Sequence, residues 1–163
     1  MVGIASFLVH EFAHWLAGVV LGHEMVATLN SVSPVGAISV QDQMLILAAG
    51  PLVTIGQGII GFLLVRRHAS HFGFALLYMA FFMRLLAAGI SFFNVNDEAK
   101  ISQLAGLGTW AVPVAVVTGL LVLVILASRT LRLKFRDHLF CYLVSSAVIT
   151  AIVGVDAVLW PKA

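Results

Sequence analysis

The chain has 163 residues, of which 61% are hydrophobic and only 10% charged, and its mean hydropathy is +1.09. A soluble domain of this size cannot hide that much apolar surface, so composition points to one polytopic helical unit in a lipid bilayer. The formal net charge is +2. The basic residues fall between apolar runs, which makes them topology signals and not a nucleic-acid surface. Cys141 is the single cysteine, so no internal disulfide is expected.

Val2–Leu21 is the first apolar run, and Gly22 ends it. It lacks a basic leading segment and a small-residue cleavage site, so it reads as a span and not as a signal peptide. Inside it stands His10-Glu11-Phe12-Ala13-His14. An ionisable side chain at that depth costs at least a few kcal/mol and is rare without a purpose. The pattern is HExxH. On a helix, His10 and His14 lie one turn apart on one face, so both imidazoles can reach one zinc ion. Glu11 sits beside them, placed to polarise a water without being a ligand. In a chain this poor in His and Glu, three such fixed positions arise by chance in roughly less than one chain in a hundred.

Glu24–Gln41 changes character. Val26, Thr28 and Asn30 alternate with Ala27, Leu29 and Ser31, and Ser33-Pro34-Val35-Gly36 carries a turn signal before Ala37–Val40 resumes an extended pattern. This predicts a β-hairpin with its turn at residues 33–36. Open strand edges do not face lipid, so the hairpin must sit at the interface or be shielded by protein. Met44–Val65 is the second span, with Pro51 bending or starting it and Arg66-Arg67-His68 closing it. Phe72–Phe93 is the third. Arg84 lies near its middle and needs a carboxylate, a carbonyl or water as partner, or must snorkel; a structural part is expected of it.

Asn94-Val95-Asn96-Asp97-Glu98 is a dense polar cluster directly after an apolar run. Asn and Asp there also suit the cap of a following helix, and Ile101–Leu107 is short and weakly amphipathic. Trp110–Ala127 is the fourth span. A basic stretch with Arg129, Arg132, Lys134 and Arg136 follows, and Leu139–Leu159 is the fifth span, with Asp156 near its far end. The fold class expected is therefore an all-α, multi-pass membrane protein of about five transmembrane helices, with a membrane-associated β-hairpin between the first and second. One integral domain covers residues 1–163.

Catalytic zinc usually takes three protein ligands and a water. HExxH supplies two. The third has few candidates: Glu24, Asp42, Asp97, Glu98, Asp137, Asp156 and the remaining histidines. Asp97 is favoured because its cluster joins directly onto a membrane span.

These residues resemble the site-2 proteases, a family of intramembrane zinc metalloproteases. HExxH in a transmembrane helix is one shared feature. The hairpin followed by Ala48-Ala49-Gly50-Pro51-Leu52 is similar to the family's re-entrant hairpin and the segment after it. Asn94–Asp97 resembles the Asn-containing motif that delivers an aspartate ligand. The resemblance covers residues 1–110 as a catalytic core, with 111–163 as accessory helices. It implies one zinc ion held by His10, His14 and Asp97, with Glu11 as general base. It also implies substrate or oxyanion support from Asn94, Asn96, Gly50 and Pro51, and a transmembrane protein as substrate. The family's third motif usually carries a proline and ends in Asp-Gly, and Asn94–Glu98 has neither. No PDZ or CBS module is expected in this chain. The alternative is a relative without proteolytic activity that binds a partner or a metal. A metal-conducting channel would need polar residues along several spans, and only Arg84 and Asp156 stand outside the cluster. Counting Lys and Arg puts residues 66–71 and 129–137 in the cytosol and the hairpin outside, whereas the family resemblance implies a hairpin near the cytosol. The oligomeric state is not legible.

Overall fold

The structure, a computed structural model, describes residues 2–160. The elements run α1 (Val2–Val20), β1 (Met25–Ala27), β2 (Val32–Pro34), α2 (Val40–His68), α3 (His71–Ile90), α4 (Asp97–Leu104), α5 (Ala111–Leu131) and α6 (Phe135–Leu159). All the helices but the eight-residue α4 are long and apolar enough to cross a membrane, five among the described residues. Their outward faces carry large apolar side chains such as Phe12, Leu52, Ile60, Phe140 and Val158, a surface that suits lipid and not water.

Local chemistry sets the helix ends. Gly22, at φ 84°, closes α1: its N–H bonds the Val19 carbonyl and that of His23 bonds Gly18, the paired bonding of a glycine-terminated helix. Ser39 caps α2 by accepting from the Asp42 N–H, and Ser70 caps α3 by accepting from Gly73 N–H. These caps lie outside the apolar runs. With Ser39 as its cap, α2 runs four residues earlier than hydropathy suggests and Pro51 lies within it instead of starting it; α5 and α6 together absorb much of the basic stretch.

The hairpin exists, but its turn is elsewhere. β1 and β2 pair antiparallel as Met25 with Pro34, Val26 with Ser33 and Ala27 with Val32. The turn is therefore Thr28–Ser31, closed by the Thr28 N–H on the Ser31 carbonyl at 2.8 Å and by the Asn30 N–H on Thr28 Oγ1 at 3.3 Å. Ser33 and Pro34 are strand residues. The next bond outward is Val35 N–H to Glu24 carbonyl. Alternation along the ladder leaves residues 32 and 34 with their amide positions facing away from β1. Proline is tolerated at 34 because no partner is asked of its nitrogen.

The polypeptide packs around α3, which buries ten of its residues. Phe74, Leu77, Tyr78, Phe81 and Phe82 form the main core with Val65 of α2 and Leu120, Val124 and Ala127 of α5. α2 and α3 approach closely where Gly61 and Gly73 oppose each other: a Cβ at Gly73 would stand 2.7 Å from the Gly61 carbonyl oxygen. A smaller cluster joins Phe7 of α1 to Met79 and Met83. α6 is peripheral and buries only Ser145 and Asp156. Asp156 accepts a hydrogen bond from Asn30 N–H at 3.2 Å, tying the end of α6 to the hairpin turn.

Candidate metal centre

His10 and His14 project from one face of α1 and are both buried, at 4% and 5% exposure. Asp97 reaches them from the first turn of α4. That turn is helical, which corrects the expectation that the helix begins at Ile101. Asn96 caps it by accepting from Ala99 N–H at 3.2 Å, and the Asn96 N–H itself donates to Ser91 Oγ. The acidic pair Asp97 and Glu98 sits where the helix dipole favours negative charge.

Three atoms converge. The two Nε2 atoms are 3.2 Å apart, and Asp97 Oδ2 lies 3.5 Å from that of His10 and 3.2 Å from that of His14. Tetrahedral zinc ligands at about 2.0–2.1 Å stand about 3.3–3.4 Å from one another, so the triangle has the size of one tetrahedral face. The outer hydrogen bonds settle which atoms are free. His14 Nδ1 is 2.7 Å from the Ile46 carbonyl, which can only accept. Thr54 donates its hydroxyl to the Gly50 carbonyl at 3.0 Å, so its oxygen accepts from His10 Nδ1 at 3.0 Å. Both rings thus hold their proton at Nδ1, and each neutral ring turns a bare lone pair at Nε2 toward the other and toward a carboxylate. Three acceptors this close repel unless a proton or a metal ion lies among them.

The space is made by α2. Ile46, Gly50 and Thr54 recur every fourth residue along one helix face, and that face meets the imidazoles. A Cβ at position 50 would lie 2.7 Å from His10 Nδ1 and closer still to His14 Nε2. Gly50 is therefore a clearance residue. Pro51 is buried beside it.

Arg84 has the partner that the sequence did not reveal. Its Nη1 donates to Glu98 Oε1 at 2.8 Å, both side chains 4% exposed. Nη2 stands 3.5 and 3.4 Å from Nδ1 and Nε2 of His10. Near-equal distances to both nitrogens mean that it is not aligned with the Nε2 lone pair. Arg84 Nε, Glu98 Oε2 and Asn96 Nδ2 are buried with no hydrogen-bond partner.

A cavity of about 660 Å³ opens on the triad. Glu11 and Asn94 line it, as do Asn96, Arg84 and Lys100; β2 and Gly36 form one wall, and Ile149 and Val153 of α6 another. Glu11, Asn94 and Asn96 therefore share one space with His10, His14 and Asp97. Thr54 and the Ile46 carbonyl belong to the same site and were not foreseen; Glu98, a candidate third ligand in the sequence, pairs with Arg84 instead. Among the described residues, His10, His14 and Asp97 form the one group of three able to hold a metal ion. No protein-family profile, curated protein or solved structure matches this chain.

Proposed function

We propose that the protein is an intramembrane zinc metalloprotease of the site-2 protease kind, cutting a peptide bond within or near a transmembrane segment of another membrane protein. The observation that carries this reading is the buried triangle of two Nε2 atoms and one carboxylate oxygen, fixed at both Nδ1 positions and open on one side to a cavity that holds Glu11. Two nitrogens and one oxygen from side chains, with the fourth direction facing the cavity, suit a catalytic zinc better than a closed structural one. When bound there, zinc supplies Lewis-acid polarisation of a carbonyl and lets water ionise near neutral pH.

The chain's own residues do the rest. Asp97 and the two histidines would hold the ion, with the imidazole rings oriented by Thr54 and the Ile46 carbonyl. Glu11 takes a proton from the attacking water and returns it to the leaving amine. Asn94 reaches the same space and is free to donate to a developing oxyanion. In Asn96 the Oδ1 is committed to the cap while Nδ2 is buried and unbonded, so Asn94 is the better placed of the two donors. A substrate helix hides its carbonyls, so it must unwind locally. The outward edge of β2 offers the Val32 amide and carbonyl groups to an extended segment entering the cavity.

The test is Glu11→Gln in the full chain with a fluorescent single-span substrate library. The variant should keep its zinc and lose cleavage by about 10²-fold or more. Cleavage at the wild-type rate removes Glu11 from the chemistry. Zinc without cleavage in the wild type favours the second reading, a metal-holding relative that binds a membrane partner.

A further inference from the structure

A second cavity, of about 480 Å³, lies at the opposite end of the helices from the hairpin, between α3, α5 and the turn into α6. It shares no lining residue with the metal centre. Its floor on α5 is a single stripe, Leu121, Val124, Ile125, Ser128, Arg129 and Arg132, with Tyr78 and Phe81 of α3 opposite. The stripe is sorted by polarity. Three apolar residues come first, then a hydroxyl, then two guanidinium groups. From Leu121 to Arg132 it rises about 16 Å, close to the hydrocarbon half-thickness of a bilayer, about 15 Å.

The cationic mouth is not balanced from within. Among the described residues neither Arg129 nor Arg132 has a carboxylate within ion-pair distance. The one acidic group of the turn, Asp137, accepts from the Lys134 N–H and faces Arg136. Arg132 also occupies the left-handed region, at φ 53° and ψ 39°, where it ends α5. Glycine is the usual residue there, and an arginine bears strain to place its side chain at the rim.

We infer that this groove is a binding site for an anionic phospholipid, its phosphate held by Arg129 and Arg132 and one acyl chain laid along Leu121–Val124–Ile125 against Tyr78 and Phe81. Juxtamembrane cations at a helix end meet anionic headgroups at the bilayer surface. The inference rests on the membrane reading and on no catalytic step.

The test titrates the purified full chain in detergent with dioleoyl phosphatidylglycerol or dioleoyl phosphatidylcholine, counting bound lipids by native mass spectrometry. The wild type should retain one phosphatidylglycerol on the order of tenfold to thirtyfold more tightly than phosphatidylcholine. Arg129→Gln with Arg132→Gly should remove that preference; the glycine relieves backbone strain, so the variant remains folded, which circular dichroism checks. Lys134→Gln with Arg136→Gln should keep it. Equal binding of the two lipids by the wild type overturns the site. So does a preference that survives the Arg129 and Arg132 changes, or displacement of the lipid by equimolar inorganic phosphate.

Discussion

At the residue scale, the site depends on what stands behind the imidazoles. Thr54 fixes the ring of His10 and holds its proton at Nδ1. Thr54→Val keeps the shape and removes the acceptor, and zinc affinity should fall about 10–100-fold with the fold intact; competition against a chromogenic chelator measures this. Gly50 is more demanding. Gly50→Ala places a carbon against both rings, and zinc binding should be lost altogether. Gly56→Ala, on the same helix with nothing within 4 Å of its added carbon, should bind zinc normally and gain up to about 1 kcal/mol in stability. Equal behaviour of the two alanine variants would remove the clearance argument. His10 and His14 were legible in the sequence because their relation is local, one helical turn. Thr54 was not, because a threonine in an apolar helix ordinarily bonds the carbonyl four residues back, as this one does. Its second bond exists only because α2 packs on α1. The four-residue recurrence of Ile46, Gly50 and Thr54 was the available signal.

At the element scale, α4 is short and is held in place from outside itself. Glu98 pairs with Arg84 of α3, and the Val112 N–H donates to Ser102 Oγ. The pair also fixes the first turn, which carries Asp97. Glu98→Ala strands a buried guanidinium and should cost about 3–5 kcal/mol, read as a lowered thermal midpoint in detergent. Replacing both partners, Arg84→Met with Glu98→Met, removes the stranded charge and should recover most of that loss. A double variant as unstable as Glu98→Ala would mean that the pair is not what destabilises the single change. The partner of Arg84 was illegible because a charge inside an apolar run announces a need without an address. The hairpin shows a different limit. Its strands were visible in alternation, but the Pro-Gly signal drew the turn to residues 33–36, whereas Thr28–Ser31 closes it with its own side-chain bond. The outward Val32 amide is the part of β2 that a substrate strand would use. Val32→Pro should slow cleavage about tenfold or more without changing zinc content, since proline removes that donor alone.

At the scale of the whole molecule, the apolar runs gave the helices and their order, since a span is a property of composition along one segment. They did not give α3 as the centre or α6 as the periphery, which follow from close approaches such as Gly61 against Gly73. The metal centre joins α1, α2 and α4 at one point, so an ion there binds the folded protein and not the unfolded chain. Chelation should lower the unfolding midpoint of the wild type, by an amount that grows with affinity, and leave that of His14→Ala unmoved. The most direct measurement is zinc K-edge X-ray absorption on the purified full chain. A single zinc with two imidazole nitrogens and a carboxylate oxygen at about 2.0–2.2 Å is predicted, with the oxygen shell altered in Asp97→Ala and the imidazole signature lost in His10→Ala with His14→Ala. Absence of zinc, or a zinc whose coordination is the same in all three proteins, would contradict it.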